Sequence, residues 1–440
     1  MANKWAVQNG NWSDGSTWND GVVPTANDDV WLNGYEVSVQ YDNTYYANSI
    51  SNIENQNLGV NSGGHLYESS SSNYTKSIYI VANLNADGNI ISFKNRIDIL
   101  GDITGKTNST NKQDAILFTV NHQSYHTITG NVTLLEGNVG FLIMNNNGAC
   151  YTGITIDGNI EINGGSLYQY SGFNTGTTYL NGNITIRNSS SQISSNISSN
   201  DQAIVNGDVT IENGAQLGGC GSAIFNGTVT TDENSIVANQ LGTAIFNGEV
   251  HSYFSISGYR SVIGNGMGTN VNFNGGLWLH NGDQLSANYL IGGNISNNSY
   301  NLNFKKHFDV GKAIAFGSYN TTSPYIPIGN INALGENAEF HYNNQYSFFY
   351  AIHWNIEHPE SFSIINDYDS DSFVMMNYSN NRFNYPEEDD VKVNVEYGMQ
   401  NEYKGRYTPT ILTDDQLQRI ANCVTNDTLQ ATMEDYFGGE

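Results

Sequence analysis

The chain has 440 residues, a net charge of −26 and unusually few charged side chains. Asp, Glu, Lys and Arg make up 13% of the residues, about half of the share in an ordinary globular domain, and 46 residues are glycine. Only 16 residues are Lys or Arg, so the basic clusters that bind nucleic acid or anionic lipid are not expected. The hydrophobic fraction of 38%, which includes 28 tyrosines, argues against a disordered chain.

Neither the cysteines nor the first residues give a sign of export. Cys150, Cys220 and Cys423 are odd in number and far apart, so no disulfide framework and no zinc motif is expected. The first residues lack the apolar segment of a secretory signal. No run of about 18 apolar residues predicts insertion into a membrane.

Residues 1–60 are predicted to form an N-terminal β cap. Four of the six tryptophans lie in this segment, namely Trp5, Trp12, Trp18 and Trp31. Residues 29–32 and 35–39 alternate apolar and polar side chains around Asn33-Gly34, which is the pattern of a β-hairpin with a two-residue turn. The end of a stack of strands exposes apolar core and an unpaired edge, so we expect the aromatic rings to close that end rather than to bind a sugar.

Residues 61–300 contain a repeat that predicts a parallel β-solenoid. The repeat is Gly, one residue, an aliphatic residue, one residue, and often a second apolar residue. The glycines of its copies are Gly101, Gly130, Gly158, Gly182, Gly207, Gly227, Gly248 and Gly275. They follow one another at intervals of 20 to 29 residues, which is close to the length of one solenoid coil. A coil this short cannot bury its own apolar face, so the core must come from stacking on similar neighbours.

Asparagine precedes five of the repeat glycines, at positions 181, 206, 226, 247 and 274. In a parallel stack these side chains would form an amide ladder, and each glycine would turn a corner with positive φ. A series of Asn-Gly hairpins, which gives antiparallel sheets, is the alternative. The uneven length of the segments before each Asn-Gly favours the solenoid.

The first 40 residues contain a characteristic pattern, which consists of Trp12, Trp18, Gly21-Val-Val-Pro24, Asp29-Val30 and the alternating Val37-Ser-Val39. With this pattern they resemble the opening of many β-helix surface proteins of bacteria and their phages. The resemblance implies a β-helix surface architecture, and it implies no particular reaction.

The glycine repeat stops near residue 300, and residues 301–385 are predicted to form a separate aromatic-rich β domain. In residues 386–440 we predict a C-terminal module followed by an amphipathic helix. Residues 386–407 resemble a short module of phage structural proteins, with the motif Val395-Glu-Tyr397-Gly398. The sequence departs from that module at Asn394 and Arg406, where Gly and Thr are usual.

The terminal α-helix is predicted from Thr413-Asp-Asp-Gln416, which has the sequence of a capping box. Leu417, Ile420, Ala421 and Val424 follow at the spacing of one helical face. We expect this helix to pack on its own chain, and docking on a neighbouring subunit is the alternative.

Four acidic residues lie just after repeat glycines, namely Glu161, Asp208, Glu212 and Glu249. A polysaccharide-cleaving enzyme on a solenoid would need two carboxylates about 5–10 Å apart. These four alternate with apolar residues and no two form an evident cleft. We therefore interpret them as a solvated face and predict no catalytic residue.

Asp367, Asp369 and Asp371 mimic the beginning of a calcium loop. Ser372 stands where the EF-hand requires Gly, and Tyr378 stands where it requires Glu. An EF-hand is therefore excluded, a looser calcium site at the three aspartates is left as a hypothesis, and no other cofactor is predicted.

His122 and His126 are four residues apart, a spacing that metal-binding helices use. No Glu follows His122 and the surrounding sequence is not helical, so a zinc site is not expected. The sequence also lacks the motifs of nucleophile elbows, phosphate loops and dinucleotide-binding turns.

The repeat and the two resemblances predict an all-β structural or adhesive appendage of a phage particle, such as a fibre, spike or decoration protein, without catalytic activity. Such a protein is made in the host cytoplasm and resides in the virion. We expect a homo-oligomer, a trimer by analogy with phage fibres, that contacts other virion proteins and a host-surface glycan. The alternatives are a polysaccharide depolymerase tailspike and a bacterial cell-surface adhesin trimmed of its export signal.

Overall fold

The computed structural model is built almost entirely from β-strands, which confirms the predicted all-β parallel solenoid. It describes residues 2–69, 76–87, 90–93, 96–106, 116–119, 124–135, 141–144, 152–164, 166–170, 177–187, 192–196, 202–213, 215–219, 222–232, 236–239, 243–253, 261–263, 270–280, 289–291, 301–309, 314–316, 328–342, 348–358, 361–366, 375–377 and 405–407. The chain divides into two compact units, residues 1–241 and 242–440, which are described one at a time.

The described part of the first unit contains 26 strands and one short 3₁₀ helix over Gly15–Thr17. The strands are β1 (Asn3–Trp5), β2 (Gly10–Asn11), β3 (Asp29–Trp31), β4 (Glu36–Val39), β5 (Thr44–Ser51), β6 (His65–Glu68), β7 (Ser77–Asp87), β8 (Ile91–Phe93), β9 (Arg96–Leu100), β10 (Ile103–Lys106), β11 (Ile116–Thr119), β12 (Ser124–Thr129), β13 (Val132–Leu135), β14 (Phe141–Met144), β15 (Thr152–Asp157), β16 (Ile160–Asn163), β17 (Ser166–Tyr170), β18 (Thr178–Leu180), β19 (Ile184–Arg187), β20 (Gln192–Asn196), β21 (Gln202–Val205), β22 (Val209–Glu212), β23 (Gln216–Gly219), β24 (Ser222–Phe225), β25 (Val229–Thr231) and β26 (Ile236–Asn239).

These strands form three parallel ladders, and a full coil gives one strand to each. Ladder 1A contains β5, β7, β9, β12, β15, β18, β21 and β24. Ladder 1B contains β1, β3, β5, β7, β10, β13, β16, β19, β22 and β25. Ladder 1C is divided into two sheets, one with β2, β4, β6, β8, β11 and β14 and the other with β17, β20, β23 and β26. The long strands β5 and β7 belong to both 1A and 1B. In later coils this part of the chain forms two shorter strands, one in each ladder.

The core of the first unit is a set of aliphatic columns, because equivalent residues of successive coils pair in register. One column of ladder 1B contains Val132, Ile160, Ile184, Val209 and Val229, each at most 1% exposed. Alternate residues of each strand point outward, as the period of two requires. Burying one such side chain contributes about 1.5–3 kcal/mol, and every coil repeats that contribution.

The repeat glycines lie at the corner between ladders 1A and 1B. At Gly101, Gly130, Gly158, Gly182, Gly207 and Gly227, an added Cβ would lie 2.0–2.4 Å from a carbonyl oxygen of the preceding coil. The expected positive φ occurs at Gly101 and Gly130 and not at the other four. The structure therefore corrects the expected reason for the glycines. They are required because two backbones approach closely at this corner, more than because the chain makes a left-handed turn.

The predicted hairpin at Asn33-Gly34 is wrong. Strand β3 pairs in parallel with β1 and β5, and β4 pairs in parallel with β2 and β6. Asn33 (φ 52°) and Gly34 (φ 77°) turn the chain from ladder 1B into ladder 1C. An Asn-Gly turn determines only the local change in chain direction. Here the strands before and after the turn pair with strands of other coils.

The free edge of β1 is covered by the segment that follows β2. The backbone of Val7 donates to Thr17 and that of Asn19 donates to Trp5, at 2.9 and 3.0 Å, in an antiparallel arrangement. Trp12 and Trp18 are each 2% exposed and pack edge to face, as expected for aromatic rings that close an end. Covering the edge strand removes a template for further strand pairing.

The second unit repeats this plan with larger side chains. Its described strands are β27 (Thr243–Phe246), β28 (Val250–Ser252), β29 (Ser261–Ile263), β30 (Asn270–Phe273), β31 (Leu277–Leu279), β32 (Tyr289–Ile291), β33 (Asn301–Phe304), β34 (His307–Asp309), β35 (Ile314–Phe316), β36 (Ile328–Ala333), β37 (Glu339–Tyr342), β38 (Phe348–Ile356), β39 (Ser363–Asn366), β40 (Met375–Asn377) and β41 (Gly405–Tyr407).

Parallel ladders organise the second unit as well. Ladder 2A contains β27, β30, β33, β36 and β38, ladder 2B contains β28, β31, β34, β37 and β39, and ladder 2C contains β29, β32 and β35. Strand β40 pairs in parallel with the start of β38. Strand β41 pairs antiparallel with β39, so the last strand of ladder 2B has a partner of opposite direction. Stacked Phe246 and Phe273, with ring centroids 5.2 Å apart, fill the interior.

Parallel pairing extends beyond the predicted solenoid boundaries of 61–300. It begins within residues 1–60 at β1, and it includes β33 to β39 of the predicted 301–385 domain. The predicted terminal helix after Thr413 lies outside the described residues, as does the motif Val395-Glu-Tyr397-Gly398.

Replacing Gly182 by alanine tests the steric reason for the corner glycines. The new Cβ would lie 2.1 Å from the carbonyl oxygen of Gly158, so we expect a loss of about 3 kcal/mol or more in the free energy of unfolding. The control is Gly59→Ala, where φ is +66° and no atom lies within 4 Å, with an expected loss of about 1–2 kcal/mol. Urea denaturation compares the two, and an equal loss would contradict the steric account.

Candidate functional site

The predicted amide ladder is present within each unit at the Asn-Gly corner. Asn206 donates its Nδ2 to Oδ1 of Asn181 at 2.7 Å, and Asn226 donates to Asn206 at 2.7 Å. In the second unit Asn274 donates to Asn247, also at 2.7 Å. Asn206 therefore serves as donor to one coil and acceptor for another, which is how asparagine columns stabilise stacked strands.

A second polar column on the first unit lies directly after the repeat glycines. Its members are Asn83, Asp102, Asn131, Asn159, Asn183, Asp208 and Thr228. The side-chain oxygen of each member accepts a hydrogen bond from the backbone N–H of the next member, at 2.7–3.0 Å. The column satisfies backbone donors at a corner where regular strand pairing is interrupted.

Sequence reasoning missed this second column, although the signal is visible. Asn or Asp follows five of the eight repeat glycines, namely every copy from Gly101 to Gly207. A short side chain with an acceptor oxygen is what a corner backbone donor needs. A repeat defined by its glycine and aliphatic positions alone leaves the position after the glycine unassigned.

The carboxylates expected on a solvated face are held in structural contacts. Arg187 reaches Glu161 at 2.6 Å and Glu212 at 2.8 Å, so one guanidinium joins acids from the coils on either side. Asp208 belongs to the second polar column, and Glu249 contacts His251. The hydrogen bond with Glu212 is the main cause of the raised pKa of Arg187. The ion pairs are about two-fifths exposed, so they contribute little stability and serve to neutralise stacked charge.

An array of aromatic and imidazole rings covers the outer surface of ladder 2B. His251 and Trp278 are register partners on β28 and β31, with ring centroids 4.9 Å apart, and His307 stacks on Trp278 at 4.8 Å. Tyr253 stacks on His280 at 4.3 Å. Both faces of the Trp278 ring are therefore covered, so that ring does not offer a face on which a sugar could stack.

The two imidazoles of His251 and His280 meet edge to edge. Nδ1 of His251 lies 2.9 Å from Nε2 of His280, and Nε2 of His251 lies 3.0 Å from a carboxylate oxygen of Glu249. The carboxylate can only accept, so the neutral His251 carries its proton on Nε2, and His280 then donates to Nδ1 of His251. Burial, followed by the charge of His251, lowers the pKa of His280. The hydrogen bond between the two imidazoles requires that one of the two facing nitrogens carries no proton.

Of the two histidines at metal-like spacing, for which no zinc site is expected, His126 lies within the described residues, and the structure places it in the core. Its side chain is 1% exposed, and Nδ1 accepts a hydrogen bond from the backbone N–H of Ile97 at 3.2 Å. Burial, with a smaller effect of the Arg96 charge, lowers the pKa of His126 to about 3. His126 is therefore a neutral core residue whose accepting nitrogen holds two neighbouring coils together.

The calcium hypothesis concerns Asp367, Asp369 and Asp371, and all three lie outside the described residues. Among the residues that the structure describes, no group of three His, Cys, Asp or Glu side chains is placed to hold a metal ion. Over the same residues, no helix has the length and apolarity to span a bilayer.

The second polar column can be tested at Asn159, whose Oδ1 accepts from the backbone of Asn183. We expect Asn159→Ala to lower the free energy of unfolding by about 1 kcal/mol, because the acceptor is lost. Asn159→Asp is the matched control and should retain most of that stability, since aspartate occupies equivalent positions at Asp102 and Asp208 and the neighbours Asn131 and Asn183 are uncharged. Equal losses in urea denaturation would contradict the proposed role of the side-chain oxygen.

Acid should weaken the first unit through His126. The pKa is about 3 in the folded chain and 6.5 in the unfolded reference, so the unfolded state binds the extra proton between those values. Stability is therefore fully present above pH 6.5 and declines as the pH falls toward 3. Replacing His126 by glutamine, which can accept but cannot titrate, should flatten this decline relative to the natural chain. Thermal unfolding of both chains is followed between pH 4 and pH 8. An equal dependence of the melting temperature on pH in the two chains would refute this explanation.

No family model matches the sequence, and searches of the curated proteins and of the solved structures found no match either.

Proposed function

We propose that this protein is a structural and adhesive appendage of a phage particle, a fibre, spike or decoration protein, with no catalytic activity of its own. The observation that carries the proposal is the unbroken column of side-chain to backbone hydrogen bonds from Asn83 to Thr228. Each coil is fixed to the next at the same place, about 4.8 Å apart. A stack of this kind resists local opening, which is what a projecting element requires.

The use of the acidic residues supports a non-catalytic function. Glycoside cleavage needs one carboxylate that gives up a proton and another that stays free to attack or to activate water. Glu161 and Glu212 share Arg187, and Asp208 accepts from the backbone of Thr228. These carboxylates are engaged in ion pairs or in a backbone hydrogen bond, so the proposal assigns them no reaction.

The placement in a virion rests on the two resemblances. Residues 12–39 resemble the opening of phage and bacterial β-helix surface proteins, and residues 386–407 resemble a module of phage structural proteins. On this proposal the chain is made in the host cytoplasm and assembles as a homo-oligomer, expected to be a trimer. It joins other virion proteins and contacts a host-surface glycan.

The test is whether the protein travels with particles. Lysates of a culture that produces the particles are separated on a density gradient, and the fractions are probed with antibodies against the purified chain. We expect the chain in the particle band, and we expect no new reducing ends or unsaturated sugars when the purified protein meets a panel of capsular glycans. A chain found only in the soluble fractions, or glycan cleavage at any site, would overturn the proposal.

A further inference from the structure

The outer face of ladder 1A carries a patch without charge. In three successive coils the outward positions are Thr177, Tyr179, Asn181, Gln202, Ile204, Asn206, Ser222, Ile224 and Asn226. We call these nine residues patch 1A. The residues between them, such as Ala203 and Val205, are buried in the core. Nine outward positions without a charged side chain stand out in a chain whose net charge is −26. On the adjoining coil, Asp157 accepts a hydrogen bond from Asn181 and marks the border of the patch.

The centre of patch 1A is an apolar column. Tyr179 pairs with Ile204, and Ile204 pairs with Ile224, so the three side chains lie one above another. Tyr179 is 39% exposed, and both isoleucines are partly exposed. On each side of this column stand uncharged amides and hydroxyls. An apolar centre with tyrosine and a polar, uncharged surround is the composition of a protein interface core.

Ladder 1B has a different composition on the outer face of the same coils. Its corresponding central outward positions are Thr185, Thr210 and Thr230, which pair in register. Arg187 and Glu212 stand beside them, as an ion pair. Threonine, like isoleucine, is β-branched and favoured in strands, and its hydroxyl can form hydrogen bonds with water. The strand geometry of these coils therefore does not require isoleucine on ladder 1A.

The net charge of the chain and the uncharged surface of patch 1A together indicate which partner binds there. Two copies of a chain with net charge −26 repel each other at most approaches. The repulsion is least where neither surface carries a charge, and burying patch 1A would leave no ion without a partner. A second copy, whose own patch is identical, meets this condition, whereas a basic partner would gain nothing from an uncharged surface.

We propose that patch 1A is the surface through which copies of this chain associate with one another. The inference rests on the proposed function, which expects a homo-oligomer, and it names the interface. Tyr179, Ile204 and Ile224 form the centre that loses contact with water, and the asparagine ladder lies at its border.

The test places a charge at the centre of the patch. Ile204→Lys is compared with Thr210→Lys, which lies on the same coil, points outward and is central in its own strand. Light scattering after size exclusion gives the mass, and sedimentation equilibrium gives the association constant. Circular dichroism and melting temperature establish that each variant is folded. Ile204→Thr serves as a milder second variant, because threonine occupies the equivalent position on ladder 1B.

We expect the natural chain and Thr210→Lys to be oligomers of the same mass. Ile204→Lys should associate at least ~10-fold more weakly, because like charges would meet in the interface, and Ile204→Thr should show a smaller loss. A natural chain that is monomeric at tens of micromolar, or an Ile204→Lys variant that associates as tightly as Thr210→Lys, would overturn the inference.

Two further outcomes separate this inference from the proposed function. If Ile204→Lys remains oligomeric and is still found with particles, the interface is wrong and the function stands. If the patch mediates association but the chain never accompanies particles, the function fails and the interface stands. Binding to a glycan array that Ile204→Lys abolishes without a change in mass would identify patch 1A as a sugar site and overturn the inference.

Discussion

The close approach of successive backbones at the glycine corner is the constraint on which the first unit depends. Gly182 leaves no room for a Cβ beside the carbonyl of Gly158, and the same holds from Gly101 to Gly227. Contacts this tight admit one vertical register. That register places Ile184 on Ile160 and Val209 on Ile184, so the aliphatic columns of the core follow from the corner.

Vertical register also explains the composition of the chain. In a parallel stack, equivalent side chains lie about 4.8 Å apart, so a charge that is repeated in each coil would repel its own copies. Asparagine and threonine avoid this repulsion, and asparagine adds a donor and an acceptor that neighbouring coils share. On ladder 1B the cation Arg187 lies between the anions Glu161 and Glu212 of the neighbouring coils and pairs with both. The low share of charged residues is thus a consequence of the architecture.

On the proposed function, contacts with other molecules are made by the outward-facing side chains. The inward residues and the corner columns are used to hold coils together, and little freedom is left there for chemistry. Ladder 1A presents an uncharged column at Tyr179, Ile204 and Ile224, and ladder 2B presents an array of rings that includes Trp278. Such surfaces can be changed with little effect on the stack, because the coils are held together mainly by strand pairing and by the inward and corner residues.

The sequence by itself determined the fold class, the repeat and the amide ladder, since period-two alternation and a recurring Asn-Gly corner are local features. It did not determine that β3 and β4 pair with other coils instead of with each other, because an Asn-Gly turn is equally compatible with a hairpin and with a corner. It also could not place His126 in the core or bring Arg187 between Glu161 and Glu212. Those relations join residues 25 to 29 positions apart, and only the register of the stacked coils decides which of them meet.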